Sequence, residues 1–163
     1  MQPFTPDSSV VSDVIPSANF GERAKDRAPD MIVLHYTGMP DVEGALARLC
    51  TAGTDVSAHY VVLEDGRIVQ CVPEARRAWH AGASSWRGRS ACNDFSVGVE
   101  LEGTDDSAFD EAQYRSLERL VARLRAALPL RDLAAHSDVS PGRKTDPGPA
   151  FAWARLLSRL SAS

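Results

Sequence analysis

Fourteen residues, His136-Ser137-Asp138-Val139-Ser140-Pro141-Gly142-Arg143-Lys144-Thr145-Asp146-Pro147-Gly148-Pro149, bring together an imidazole, an ammonium and two carboxylates. The sequence predicts no helix for them. Pro141, Pro147 and Pro149 fix their own φ and push the preceding residues out of the α region, while Gly142 and Gly148 supply turn conformations. Such a loop can hold polar groups out toward a ligand. Taken alone it reads first as a hydrogen-bonded surface turn. The chemical alternative is a His, an Asp and a second His from elsewhere, a three-ligand set that suits zinc and leaves a fourth position for water.

The second histidine has a candidate in His35, which follows the apolar run Met31-Ile32-Val33-Leu34. That run predicts a strand buried on both faces. His35 then stands at a strand's end, where open α/β sheets gather their ligand-binding groups. Leu130 to Ala135 predicts a short strand delivering His136 to the same edge, so that His35, His136 and Asp146 can converge. Along 95–102, Phe95, Val97, Val99 and Leu101 alternate with Ser96, Gly98, Glu100 and Glu102, placing two carboxylates on one polar face.

Asp41 caps a predicted helix with Val42, Ala45, Leu46, Leu49 and Cys50 at helical spacing. Glu64-Asp65-Gly66-Arg67 between two β-rich runs predicts a hairpin. Asp110 with Gln113 opens a helix that Pro129 ends, and Phe151, Trp153, Leu156, Leu157 and Leu160 mark a last one. Trp79 to Gly88 is irregular and predicts a loop lining a cleft. The expected fold is α/β, a single domain with a mixed central β-sheet flanked by helices. Residues 1–30 are expected as an extended arm and 31–163 as the domain.

At 163 residues the chain suits one domain. A net charge of −4 without a basic cluster argues against nucleic acid, and no apolar run approaches a membrane span. Cys50, Cys71 and Cys92 form no CxxC pair and leave an odd thiol, which suits a reducing compartment. A cytoplasmic monomer is expected.

From about residue 31 to 157 the chain resembles the zinc-dependent N-acetylmuramoyl-L-alanine amidases of the amidase-2 group, relatives of a phage lysozyme and of the peptidoglycan recognition proteins. The likeness rests on five ordered motifs: Val33-Leu34-His35-Tyr36-Thr37, Ser57-Ala58-His59-Tyr60, Ala78-Trp79-His80-Ala81-Gly82, 93–103 (from Asn93-Asp94-Phe95 to Leu101-Glu102-Gly103) and 143–149 (Arg143-Lys144-Thr145-Asp146-Pro147-Gly148-Pro149). Within the family it is most similar to the cytoplasmic recycling amidases that act on 1,6-anhydro-muropeptides. The resemblance implies one Zn²⁺ held by His35, His136 and Asp146, with Glu100 as the catalytic carboxylate and Lys144 stabilising the oxyanion.

Glu102 competes with Glu100 for the base role, since both lie on one strand face. His59 and His80 are alternative ligands, but the resemblance places both outside the ligand set. Tyr36, Trp86, Arg89 and Asn93 are expected to touch a muropeptide or peptidoglycan fragment; Trp79 is expected in packing. In one respect the chain departs from the family. Close relatives carry an arginine for the stem-peptide carboxylate where this chain has Ala91, which leaves Arg87 or Arg89 to reach over. The segment from His35 to Ser57 is also short, as in the family's periplasmic, broad-specificity branch. Two other functions are thus kept beside recycling: an amidase of intact peptidoglycan, and a non-catalytic peptidoglycan-binding module.

Overall fold

The structure is a computed structural model that describes residues 2–24 and 27–162. In chain order its elements are β1 (Asp13–Val14), β2 (Phe20–Glu22), β3 (Met31–Tyr36), α1 (Val42–Cys50), β4 (Tyr60–Val62), β5 (Ile68–Gln70), β6 (Arg76–Ala78), β7 (Ser85–Trp86), β8 (Arg89–Ser90), β9 (Ser96–Leu101), α2 (Glu111–Ala127), β10 (Asp132–Ala135), α3 (His136–Val139) and α4 (Trp153–Ser161). Six strands form the central sheet in the order β1-β5-β4-β9-β3-β10. Only the β4–β5 hairpin pairs antiparallel within it, so the sheet is mixed.

Period-two alternation sorts the residues of β3 and β9 between two faces. Ile32, Leu34, Val97, Val99 and Leu101 pack on one side against Leu117, Leu120 and Leu124 of α2 and Leu156 of α4. Gln113 seals the start of α2 by accepting from the Asp110 N–H at 2.9 Å and donating to the Glu102 carbonyl at 2.8 Å. The other side carries α1, seated on Val61 and Val69, and the loop between β6 and β9, seated on Met31 and Val33. In α1 the Asp41 carboxylate accepts from the Gly44 N–H at 2.6 Å. Between these two covers lies a cleft. Among the described residues no helix is long and apolar enough to cross a membrane.

The structure alters four sequence readings. His136–Val139 makes one helical turn, because the prolines constrain only themselves and the residues just before them, and all lie downstream. The irregular stretch at 79–88 ends in a small hairpin, β7 with β8, turned by Arg87 and Gly88 with φ of 47° and 78°. Phe95 leaves the alternation: a 3-10 turn at Cys92–Asp94 swings it into the cluster with Met31 and Val33. Arg76 and Arg77 lie in β6, which pairs antiparallel with β2. Within residues 1–30, β1 also joins the sheet, parallel to β5.

Candidate metal centre and its cleft

β3, β9 and β10 run parallel, so their carboxyl ends share one edge of the sheet. His35 and Glu100 are direct register partners there and project to the same side. His136 follows β10 immediately, at the start of α3. Asp146 returns to the same point because its carbonyl accepts from the Ser137 N–H at 3.1 Å.

The three side chains meet. His35 Nδ1 lies 2.9 Å from His136 Nδ1, and each nitrogen lies 3.1 Å from Asp146 Oδ2. All three residues are buried. His136 Nε2 stands 3.1 Å from the Ala81 carbonyl, which can only accept, so the ring proton sits on Nε2 and Nδ1 presents a bare lone pair. That lone pair and a carboxylate oxygen converge with a second imidazole nitrogen on one point. Ligands at about 2.0–2.2 Å from a tetrahedral ion stand roughly 3.4 Å apart, so a triangle of this size fits a single zinc ion. Two imidazoles and one carboxylate are also the donor types that zinc takes.

The charges of the set follow from burial. Burial drives the His35 imidazole down to about 4 against the opposing pull of Asp146, which keeps it neutral as a ligand must be. Burial works against the Asp146 charge, but the close contacts with His136 and His35 outweigh it and hold the carboxyl below its ordinary range. Glu100 goes the other way. Burial first, and then the nearby Asp146 charge, push its carboxyl well above the ordinary value, with Lys144 opposing. Its Oε2 is buried with no hydrogen-bond partner among the described residues.

A cleft of about 350 Å³ opens over this cluster and is lined by Glu100, Lys144 and Tyr36. From α1 it is walled by Ala45, Arg48 and Leu49. Trp79 lines it, and Trp86 packs instead beside Met31, Val33 and Phe95. The spacing of the two tryptophans could not separate them, since only the turn at Arg87-Gly88 folds Trp86 back onto the core.

Arg89 and Asn93 also lie outside the walls of this cleft. Arg89 grips Asp30 through both terminal nitrogens at 2.9 and 3.0 Å and stacks on Phe95. Arg87 pairs with Asp132 at 3.1 Å. Both arginines that could have stood in for the one missing at Ala91 are therefore engaged elsewhere. Asn93 is buried, and its Oδ1 accepts from the His80 and Ala81 N–H groups at 3.1 and 2.8 Å, which fixes the carbonyl that orients His136.

Glu102 lies beyond the end of β9, and its Oε2 accepts from the Glu64 N–H at 2.9 Å, away from the cleft. His59 is a structural group: its Nδ1 accepts from the Gly98 N–H and its Nε2 donates to the Arg76 carbonyl, both at 3.0 Å. His80 touches His35 without joining the triangle. Arg143 was missed as a structural residue. Its guanidinium donates to the Ala81 and Ala83 carbonyls at 2.6 and 3.0 Å and clamps the loop against its neighbour.

Comparison with known proteins gives a consistent set of likenesses. The family model of N-acetylmuramoyl-L-alanine amidases matches residues 25–149. The 1,6-anhydro-N-acetylmuramyl-L-alanine amidase AmpD of Escherichia coli is 41% identical over 166 aligned residues, covering 90% of this chain and 91% of the relative. A crystal structure of a selenomethionine AmpD derivative superposes with a TM-score of 0.85 at 37% identity, over 93% of this chain and 95% of that one. The amidase AmiD of E. coli, solved in complex with the substrate anhydro-N-acetylmuramic acid-L-Ala-D-γ-Glu-L-Lys, superposes with a TM-score of 0.75 at 36% identity, over 85% of this chain and 60% of that one.

Proposed function

We propose, from the premise that this chain belongs to the N-acetylmuramoyl-L-alanine amidase family, that it hydrolyses the amide between the lactyl group of N-acetylmuramic acid and L-alanine in anhydro-muropeptides released from peptidoglycan. The observation that carries the reading is the triangle of His35 Nδ1, His136 Nδ1 and Asp146 Oδ2, with edges of 2.9–3.1 Å, beside the buried Glu100 carboxyl. Zinc held by those three would polarise the scissile carbonyl and lower the pKa of the attacking water to about 7.

Glu100 takes the proton of the water as its oxygen bonds to the carbonyl carbon. The same proton passes to the amide nitrogen as the C–N bond breaks, and the water's second proton goes from the new lactyl carboxyl to the released amine, leaving a carboxylate and an ammonium. A carboxyl raised from its ordinary value is suited to both transfers, because it can hold the proton it has taken. Lys144, on the cleft wall, faces the negative charge that grows on the carbonyl oxygen; removing one such donor costs roughly 3–4 kcal/mol of transition-state stabilisation. Tyr36 and Trp79 supply walls for the sugar or peptide. A binding module would need neither a partnerless buried carboxyl nor three converging ligands. The cytoplasm is the proposed compartment, supported by the free thiols of Cys50, Cys71 and Cys92.

The test is mass spectrometry of an anhydro-muropeptide digest beside a digest of polymeric wall, each with and without a chelator. Chelator-sensitive release of the free stem peptide from the soluble substrate is expected. Intact substrate with zinc supplied rejects the reading, and release from the polymer alone moves the activity to intact peptidoglycan.

A further inference from the structure

We infer that His80 is a positioning residue, one that fixes the tautomer and ring orientation of His35 so that His35 Nδ1 can serve as a metal ligand. The inference rests on the zinc reading above and concerns only how this chain prepares one of its ligands. His80 lies in the loop after β6, buried, with its ring edge-on to that of His35 at 85°. Its Nδ1 is 3.0 Å from His35 Nε2, and its Nε2 is 3.2 Å from Ser96 Oγ. Ser96 Oγ in turn stands 2.6 Å from the Cys92 carbonyl.

The direction of every proton in this row follows from its last member. A carbonyl oxygen only accepts, so the Ser96 hydroxyl hydrogen is committed to Cys92. Ser96 Oγ must then accept from His80, which puts the His80 proton on Nε2. His80 Nδ1 is left with a lone pair and accepts from His35 Nε2–H. His35 Nδ1, stripped of its proton, faces His136 and Asp146.

The seat of the His80 ring is built for it. An added Cβ at position 98 would fall 2.4 Å from His80 Cγ, so Gly98 is the residue that admits the ring against β9. The His80 backbone N–H donates to Asn93 Oδ1 at 3.1 Å, which fixes the loop from the other side. The two imidazole ligands are therefore oriented differently. His136 leans on a backbone carbonyl that no substitution removes, whereas His35 leans on a side chain.

The experiment compares wild type, His80→Leu, His80→Asn and Ser96→Ala in the full chain. Zinc affinity is measured by competition with a chromophoric chelator, and ligand geometry by the visible spectrum after Co²⁺ replacement. Partners of this kind are worth about 10–100-fold in metal affinity, so His80→Leu is expected to bind zinc that much more weakly with an altered Co²⁺ spectrum. His80→Asn, which keeps an acceptor near the Nδ1 position, is expected to recover most of the loss. Ser96→Ala frees the His80 tautomer and is expected to weaken zinc severalfold without emptying the core. A purely structural role would lower stability and leave affinity and spectrum of the folded protein unchanged. Wild-type affinity in folded His80→Leu overturns the inference, and if that variant does not fold, unchanged affinity in Ser96→Ala does so. Failure of the wild type itself to bind zinc overturns instead the reading on which the inference stands.

Discussion

The two faces of β3 and β9 are made from alternate residues of the same strands, yet they obey different rules. On the face under α2 and α4, Ile32, Leu34, Val97, Val99 and Leu101 meet leucines in an apolar cluster. On the other, His35, Ser96 and Glu100 are also buried, and His35 and Ser96 are met by loop backbone and by other polar side chains. Burying apolar area needs only shape, whereas a buried polar atom needs a partner at a set distance and angle. The regular helices suffice for the first. The second calls for irregular segments, and here the 79–95 loop and the 136–149 loop supply them. Among the described residues two buried carboxylate oxygens have no hydrogen-bond partner, Glu100 Oε2 on that face and Glu118 Oε1 on α2.

The largest effect is expected on the polar face. Asp146→Ala removes a third of the triangle, and zinc binding is expected to fall by more than about 100-fold, since even groups outside a ligand set contribute about 10–100-fold. Metal analysis of the purified variant checks this. Glu100→Gln is expected to lower kcat by about 10²- to 10⁴-fold while zinc stays bound, the size of a lost proton-transfer group. Its melting temperature is expected to hold or rise, because a neutral amide removes the penalty that burial places on the carboxylate. On the apolar face the signs reverse. Leu117→Ala, at a fully buried position of α2, is expected to cost about 2–5 kcal/mol in denaturant unfolding and to leave zinc affinity and kcat of the folded fraction unchanged. If Leu117→Ala altered zinc affinity as strongly as Asp146→Ala, the two faces would not be separable.

The apolar face is also the one that could be read from the sequence. The run at 31–34, the Asp65-Gly66 turn and the Asp110/Gln113 capping box each act over a few residues, so local rules find them. The three side chains that converge were legible too, as histidines at strand ends and an aspartate in a proline-shaped loop. What could not be read is the support around them. β7, β8 and β1 are two residues long, too short for any period, and exist through their pairing. The same holds for the exchange of Trp79 with Trp86, and for Asn93, whose short side chain reaches two backbone N–H groups thirteen and twelve residues away. Nothing in residue type distinguishes such a bracket from a substrate contact.

His59 sharpens the comparison in a graded way, because it is a buried histidine on the polar side with no place in the triangle. Burial, and next the Arg23 charge, lower its folded-state pKa to about 3, against an ordinary 6.5. The unfolded chain takes up this proton as pH falls through 6.5, and the folded chain refuses it until about 3. Stability is therefore lost with falling pH across that window, by at most about 1.4 kcal/mol per pH unit from this group. Unfolding midpoints of zinc-free wild type and His59→Gln at pH 7 and pH 5 check the sign. The variant is expected to be less stable at pH 7 and to lose less on acidification. An equal acid loss in both would move the titration to another group.

The smallest effect is expected at Glu102, and it decides which of two carboxylates belongs to the site. Strand alternation alone put Glu100 and Glu102 on one face, but β9 ends at Leu101, between them. Glu100 thus keeps its register with His35, while Glu102 has left the ladder to accept from the Glu64 N–H in the β4–β5 turn. A carboxylate bonded to an exposed backbone amide contributes on the order of 0.5–1.5 kcal/mol at most. Glu102→Ala is accordingly expected to shift stability by no more than that and to leave kcat within about twofold, on the scale where 1.4 kcal/mol is tenfold. A rate collapse in Glu102→Ala, with Glu100→Gln still active, would hand the proton transfer to Glu102. It would also show that the loop beyond β9 rearranges when substrate enters the cleft.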